Sequence, residues 1–300
     1  MGLPRTEQVT TEAEALDRLT GPAALSRMID VQRAAIESLR TVLPEIEAAA
    51  ALMAETLRGE GRLVYAAAGS SALMALADAA ELPGTFGIAQ QRIVIRMAGG
   101  VPTDAAMPGD TEDDTKAAQA VIAELRPDDL VIALSASGST PYPTAIAQGA
   151  PARGARVVAI ACNPGTPLLA AADVAICLAT PPEALAGSTR MGAGTAQKAA
   201  LNLISTRAGV LLGHVHDGMM VNLVADNAKL RGRAAGIVAR VAKVEVQTAA
   251  RALDLAQGAV KPACLIAAGA TPETARALLE RHADHLRPAL AELHDTQQDA

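Results

Sequence analysis

Small hydroxyl residues gather at the ends of two apolar runs, a pattern that could bind an anion. The run "LVIAL" ends in "SASGST", and an earlier run, "RLVYAAAG", leads into two more serines. The hydroxyl residues of these two loops are Ser70, Ser71, Ser135, Ser137, Ser139 and Thr140. Small side chains let the backbone curl around a phosphate at a helix N-terminus, where N–H groups are free. Capping of the following helix is the structural alternative for either loop, but two such loops together favour phosphate.

Neither hydroxyl loop has the sequence of a nucleotide-binding P-loop. No Gly-Lys-Ser or Gly-Lys-Thr follows either of them. The glycine-rich loop that cradles a nucleoside triphosphate needs that lysine to reach the outer phosphates. We therefore expect a small phosphorylated ligand rather than a nucleoside triphosphate.

Five short apolar runs alternate with helical patterns and predict the elements that position these loops. The runs are "RLVYAAAG", "RIVIRMAGG", "DDLVIALS", "ARVVAIACN" and "ADVAICLA". Strands that alternate with helices predict an α/β fold with a doubly wound parallel sheet. Ligands of such sheets lie beyond the carboxyl ends of the strands, which is where both hydroxyl loops fall. The expected division is an N-terminal helical segment at 1–58, a sheet domain that carries both phosphate-binding loops at 59–234 and a small helical module at 235–300.

Composition excludes several other classes of function. The net charge of −6 and the absence of a dense Lys/Arg cluster argue against nucleic-acid binding. The three cysteines are too few and too scattered for a disulfide framework or a zinc site. The chain carries neither a leader-like apolar region at its start nor an uncharged apolar stretch of membrane length. We expect a cytoplasmic protein that does not contact a membrane.

Four longer motifs carry a resemblance to a known family. They are "LAGSTRMGAGTAQKAALNLIST", "ADAAELPGTFG", "IACNPGTPL" and "DNAKLRGRA". With the two hydroxyl loops, the chain resembles sugar isomerase (SIS) domains and, over nearly its whole length, the N-acetylmuramic acid 6-phosphate etherases. The resemblance implies a three-layer αβα SIS domain with a five-stranded parallel sheet. It also implies N-terminal helices and a small C-terminal bundle of three helices.

The same resemblance implies the activity. Such an enzyme is a homodimeric cytoplasmic lyase of peptidoglycan amino-sugar recycling, which splits N-acetylmuramic acid 6-phosphate into N-acetylglucosamine 6-phosphate and D-lactate. Opening of the sugar ring makes the C2 proton removable, and lactate can then leave from C3 before water adds back. This elimination needs a base and an acid, both of which carboxyl groups can supply. No metal and no organic cofactor is expected.

Two glutamates are the candidate acid and base, and a third is a candidate substrate contact. By resemblance, Glu81 in "AAELPGTFG" and Glu112 in "GDTEDD" match the family's two catalytic glutamates, and the sequence does not say which is acid and which is base. An ion pair or a solvent-facing position is the structural alternative for Glu81. Glu112 stands among acids that could simply favour a helix N-terminus. Glu183, just before "GSTR", is expected to contact a sugar hydroxyl or to cap a helix.

Two other functions use the same loops. A phosphosugar isomerase of the SIS class also opens the sugar and moves the C2 proton. A regulator that senses sugar phosphates would bind without turnover. The chain also departs from the common etherase pattern, because Leu73 stands where the first loop often has arginine and Gly192 replaces a common lysine. These lost cations bear on the choice of substrate more than on the fold.

Overall fold

Two long helices lead into the first strand. The computed structural model describes residues 4–9, 15–107, 109–225 and 227–298. Helix α1 is Gly21–Glu37 and α2 is Leu43–Arg58, and each has a proline in its first turn. A proline is tolerated there because the N–H that it lacks would have no partner within the helix. Pro44 therefore begins a new helix, after a short 3-10 turn at Ser38–Val42.

A parallel sheet of five strands forms the centre of the N-terminal part, as predicted. The strands are β1 (Leu63–Ala67), β2 (Ile93–Met97), β3 (Leu130–Ser135), β4 (Arg156–Ala161) and β5 (Val174–Cys177). Their order across the sheet is β2-β1-β3-β4-β5. All residues of β1 and β3 are buried, which explains their unbroken apolar sequences. The carboxyl ends of β1 and β3 lie side by side, since Ala67 pairs with Leu134.

Helices cover both faces of this sheet and give the expected three layers. The helices that follow α2 in this region are α3 (Gly69–Ala79), α5 (Thr115–Glu124), α6 (Pro141–Gly149), α7 (Pro167–Ala170) and α8 (Gly192–Leu211). On one face of the sheet, a cluster of buried apolar side chains joins α5, α6 and α7 to alternate residues of the strands, among them Val64 and Val131. Tyr65 points to the opposite face, where its hydroxyl donates to Asp78 of α3. Helix α2 also contacts β1, β3 and β5.

The described contacts divide the chain into two compact units. The first unit is 1–80 with 91–205, and the second is 81–90 with 206–300. The second unit contains α4 (Leu82–Phe86), the hairpin strands β6 (Val215–His216) and β7 (Met219–Met220), α9 (Ala228–Ala242), α10 (Val246–Leu255), α11 (Val260–Ala267), α12 (Pro272–Arg281) and α13 (Leu286–Gln298). Its core is a separate cluster of alanine, leucine, valine and isoleucine side chains from α9 to α13.

The C-terminal region is richer in helices than expected. Four helices, α10 to α13, lie within residues 246–298, whereas the resemblance implied a module of three. Gly258 and Gly269, both with positive φ, lie between α10 and α11 and between α11 and α12, and they divide this region into short helices. The expected domain boundaries at 58/59 and 234/235 do not coincide with the two compact units and remain predictions.

Candidate functional site

The candidate site lies where the strand order reverses. The chain leaves β1 for β2 on one side and later returns to β3 on the other side. In an open α/β sheet, the loops after two such strands separate and leave a crevice for a ligand. Because β1 and β3 are paired in register, the loops that follow Ala67 and Ser135 are neighbours in the first unit. The two hydroxyl loops therefore lie at one edge of the sheet.

The first hydroxyl loop forms the start of α3. Gly69 has a φ of +52°, a conformation that glycine adopts more easily than other residues. Ser70 is half-buried, whereas Ser71 is only 6% exposed. The Ser71 hydroxyl donates to Gln197 Oε1 of α8 over 2.9 Å. Ser71 therefore already uses its proton inside the protein, and Ser70 is the more accessible hydroxyl of this loop.

The second hydroxyl loop is held by its own side chains. Ser135 Oγ lies 2.8 Å from Thr140 Oγ1 and 3.1 Å from Ser137 Oγ. The Gly138 N–H donates to Ser135 Oγ over 3.0 Å, and the Ser139 N–H donates to Ser137 Oγ over 3.2 Å. Ser135 is buried, while Ser139 is exposed. Ser135 thus supports the loop from inside, whereas the exposed Ser139 donates its hydroxyl to Ser137 Oγ over 3.2 Å at the surface of the loop.

Glu112 is the carboxyl that the structure brings to this edge of the sheet. It belongs to the 3-10 turn Asp110–Asp113, and its side chain is half-buried. Its Oε1 lies 2.6 Å from the position that a β-carbon on Gly69 would occupy. Burial raises the pKa of the Glu112 carboxyl, and the negative charge of Asp113 raises it further. A carboxyl with a raised pKa beside a candidate phosphate loop is suited to proton transfer.

The acidic neighbours of Glu112 have a different role. Asp114 is the N-cap of α5, and its side chain accepts a hydrogen bond from the Ala117 N–H over 2.9 Å. The Asp113 side chain is exposed. We considered a helix N-terminal role for all the acids of this run. Asp114 is the residue that has it as the N-cap of α5.

Glu183 caps the helix of the longest motif. Its side chain is only 1% exposed. Its two oxygens accept hydrogen bonds from the Gly192 and Ala193 N–H groups, each over 2.8 Å. A β-carbon at Gly192 would lie 3.0 Å from Glu183 Oε2, so this position favours the smallest residue. The hydrogen bonds of Glu183 are those of a helix cap. Its contact with a sugar hydroxyl remains a prediction.

The structure also contains a buried polar cluster that the sequence reading missed. Asp78 of α3 is 2% exposed and accepts hydrogen bonds from Tyr65, Asn202 and Ser205. Lys198 Nζ lies 3.8 Å from Asp78 Oδ1. An aspartate within the apolar pattern "MALADAA" was the available signal, because a buried carboxylate needs partners. Lys198, one of the cations in the longest motif, thus has an acidic partner inside the first unit.

Glu81 belongs to the second unit. It is the N-cap of α4, its side chain is exposed, and its carbonyl accepts the Thr85 N–H over 3.0 Å. Asn222 holds this turn by donating to the Phe86 carbonyl over 2.8 Å. The other candidate residues, Glu112, Glu183 and the six hydroxyl residues, belong to the first unit. A catalytic role for Glu81 remains a prediction.

Comparison with known proteins settles the family. The profile of the SIS domain family matches residues 28–162. An N-acetylmuramic acid 6-phosphate etherase of Mycolicibacterium smegmatis is 40% identical over 288 residues, which cover 95% of this chain and 97% of the relative. The chain belongs to the N-acetylmuramic acid 6-phosphate etherase family. Another member, from Deinococcus radiodurans, is 38% identical over 96% of this chain and 95% of its own length.

The etherase family membership confirms the resemblance carried by the four motifs, and the protein is an enzyme of the lyase type. A solved phosphoheptose isomerase of Francisella tularensis is also similar, at 19% identity and a TM-score of 0.46 over 64% of this chain and 98% of that one. Within the described ranges, no helix combines the length and apolarity that a membrane span requires. The same ranges contain no group of three or more His, Cys, Asp or Glu residues placed to hold a metal ion.

Proposed function

We propose that this etherase cleaves the D-lactyl ether of N-acetylmuramic acid 6-phosphate to give N-acetylglucosamine 6-phosphate and D-lactate. The observation that carries the proposal is the position of Glu112. Its half-buried carboxyl, with a raised pKa, lies against Gly69 at the start of the first hydroxyl loop. A carboxyl with these properties beside a phosphate-binding crevice is what proton abstraction from a phosphosugar requires.

The chemistry proceeds by elimination followed by hydration. Opening of the sugar ring exposes an aldehyde at C1, which makes the C2 proton acidic. A carboxylate removes that proton, the C3–O bond breaks, and a carboxylic acid protonates the departing lactate oxygen. Water then adds across the C2–C3 double bond, so that one water is consumed for each lactate released. The reaction needs two carboxyl groups in different protonation states.

We assign the two carboxyl groups to Glu112 and Glu81. The raised pKa of Glu112 suits either role, because a weaker acid is a stronger base once ionised and keeps its proton to a higher pH. The hydroxyl residues Ser70, Ser135, Ser137, Ser139 and Thr140 hold the phosphate with the backbone N–H groups of their loops. Ser71 supports the first loop through Gln197 and contacts the substrate with its remaining acceptor capacity.

We further propose that the enzyme is a cytoplasmic homodimer that acts in peptidoglycan amino-sugar recycling. An apolar stripe on α1 supports a partner of this kind, because Leu25, Ile29 and Ile36 are 60%, 58% and 46% exposed. A second copy of the chain is the occupant expected for an apolar stripe with this exposure. Light scattering of the purified protein measures the oligomeric state directly.

Product analysis tests the activity. Purified protein is incubated with N-acetylmuramic acid 6-phosphate and EDTA, and D-lactate and N-acetylglucosamine 6-phosphate are quantified. We expect both products in equal amounts, with activity that survives chelation. Glu112→Gln and Glu81→Gln should each lower kcat by about a hundredfold or more, because each removes a group that transfers a proton. Glu37→Gln, at an exposed glutamate of α1 that forms an ion pair with Arg40, is the matched control.

Two outcomes would contradict the proposal. Conversion of a phosphosugar to its isomer without lactate would indicate an SIS isomerase. Binding of a phosphosugar without any turnover would indicate a sugar-phosphate sensor. In the second case Glu81→Gln would leave binding unchanged.

A further inference from the structure

We propose that Asn163 is a positioning residue for the second hydroxyl loop and that the N-terminal segment holds it in place. The N-terminal segment here means residues 4–8. The inference rests on the proposed function, because it assumes that the loop Ser135–Thr140 binds the phosphate of the substrate. It adds two elements to the support of that loop: a residue that follows the neighbouring strand β4, and a segment more than a hundred positions away in the chain.

The Asn163 amide supports the backbone of the hydroxyl loop. Asn163 follows β4, the neighbour of β3 in the sheet, and is only 6% exposed. Its Nδ2 donates to the carbonyl oxygens of Ala136 and Ser137, each over 3.3 Å. The C=O and N–H groups of a trans peptide point in opposite directions. The Ala136 carbonyl also accepts the Cys162 N–H over 3.0 Å, so Asn163 and Cys162 together fix the peptide that carries the Ser137 N–H. Through the Ser137 carbonyl, Asn163 helps to fix the peptide that carries the Gly138 N–H, which Ser135 Oγ accepts.

The N-terminal segment holds the other side of the same amide. The Arg5 N–H donates to Asn163 Oδ1 over 2.8 Å, and Asn163 Nδ2 donates to Thr6 Oγ1 over 3.2 Å. Thr6 is 1% exposed, and its carbonyl accepts the Gly187 N–H over 3.0 Å. The segment therefore joins the loop after β4 to the loop before α8. Because Oδ1 accepts and Nδ2 donates, the amide cannot be turned over without losing these contacts.

Asparagine is the residue type that these contacts require. Three oxygen atoms surround Nδ2: the Ala136 carbonyl, the Ser137 carbonyl and the Thr6 hydroxyl. A primary amide serves them with its two N–H donors, one of which is shared between two oxygens, while its own oxygen accepts the Arg5 N–H. An aspartate of the same shape would place a negative oxygen against two carbonyls. The backbone of the hydroxyl loop would then move away from it.

Three variants test the inference by the dissociation constant (Kd) of N-acetylglucosamine 6-phosphate in calorimetry and by KM in the lactate assay. Asn163→Asp should raise both by about tenfold or more, with a smaller change in kcat, since a buried donor is replaced by a charge that repels its partners. Thr6→Val keeps the shape of the side chain and loses its hydroxyl, and it should raise both about threefold. Thr6→Ser restores the hydroxyl and should restore Kd and KM.

A matched threonine provides the control. The Thr41 hydroxyl also makes one hydrogen bond, to the Ser38 carbonyl over 2.8 Å, but Thr41 is exposed and lies in a short turn before α2. Thr41→Val should leave Kd and KM unchanged. If Asn163→Asp does not fold, Thr6→Val and Thr6→Ser decide the question, because a single hydroxyl is lost and restored.

The result that overturns the inference is a lower melting temperature in Asn163→Asp and Thr6→Val with wild-type Kd and KM. That result would give Asn163 a purely structural role. Failure of the proposed function has a different signature. The wild type would then bind N-acetylglucosamine 6-phosphate but release no lactate, and the Kd series would still test Asn163. A wild type that binds no phosphosugar would overturn both proposals.

Discussion

The carboxylate of Glu112 lies directly against Gly69, with its Oε1 2.6 Å from where a β-carbon of residue 69 would stand. This approach is possible only because residue 69 has no side chain. It brings a carboxyl with a raised pKa to the first residue of α3, next to Ser70. The close approach of these two residues is the basis of the first prediction.

Gly69→Ala should displace the Glu112 carboxyl and lower kcat/KM at least about tenfold. The atom that the new methyl group meets is the end of a flexible side chain, so Glu112 can move away at small cost to the fold. The positive φ of residue 69 adds about 1 kcal/mol of strain. We therefore expect a melting temperature only about 3 °C lower, measured by calorimetry beside the lactate assay.

Gly21→Ala is the control for this substitution. Gly21 begins α1, and no atom lies within 4 Å of its added β-carbon. It should retain wild-type kcat/KM. A Gly69→Ala enzyme with full activity would mean that the position of Glu112 is irrelevant to the reaction.

Asp113→Asn should move one limb of the pH–activity profile to lower pH, namely the limb set by the ionisation of Glu112. Burial is the main reason for the raised pKa of Glu112, and the Asp113 charge is the second. Removing that negative charge makes ionised Glu112 less unfavourable, so its pKa falls. The measurement is kcat/KM for lactate release between pH 4 and pH 9.

The limb that moves identifies the role of Glu112. A shift of the acidic limb means that Glu112 must be ionised and is the base, whereas a shift of the basic limb means that it is the acid. Asp110→Asn removes the same charge from the same exposed turn and should leave the profile in place. An unchanged profile in Asp113→Asn would separate Glu112 from the titrating groups.

Ser135→Ala and Ser139→Ala should affect different properties. Ser135 is buried and accepts the Gly138 N–H, so its loss leaves that donor unpaired and costs about 1–3 kcal/mol of unfolding free energy. Ser139 is exposed, and its loss should change the unfolding free energy by less than about 0.5 kcal/mol. Both variants should raise KM. Urea unfolding and steady-state kinetics separate the two effects, and an unchanged KM in both would exclude the loop from phosphate binding.

The second unit should lose stability as the pH falls from about 6.5 to about 4. Burial lowers the pKa of His214 from 6.5 to about 4, with a further decrease from the charge of Lys261. Between these values the unfolded chain binds a proton that the folded chain does not, so acid favours unfolding. Burial lowers the pKa of His216 as well, which acts in the same direction.

His214→Gln should reduce this dependence, measured as the urea midpoint at several pH values. The slope lost should approach about 1.4 kcal/mol per pH unit within the window, which corresponds to one proton. His294→Gln, at an exposed histidine of α13, should keep the wild-type slope. Equal slopes in the wild type and His214→Gln would contradict the assignment to His214.

Much of the fold could be predicted from local patterns. Unbroken apolar runs predicted the five strands because a parallel sheet covered on both faces buries every residue of its central strands. The four motifs predicted the family. The Asp217-Gly218 dipeptide was an unused signal for the turn between β6 and β7, where both residues have positive φ.

The sequence by itself determined which residues could do chemistry, and the tertiary structure decided which of them meet. Residue type and spacing alone did not distinguish Glu112 from Asp113 and Asp114, and only the family resemblance selected it. The physical difference is the close approach to Gly69, more than forty positions away. The partners of Asp78 and Asn163 come from distant helices, loops and the N-terminal segment for the same reason. Hydrogen bonds across such separations depend on how the layers pack, and no local pattern of residues encodes them.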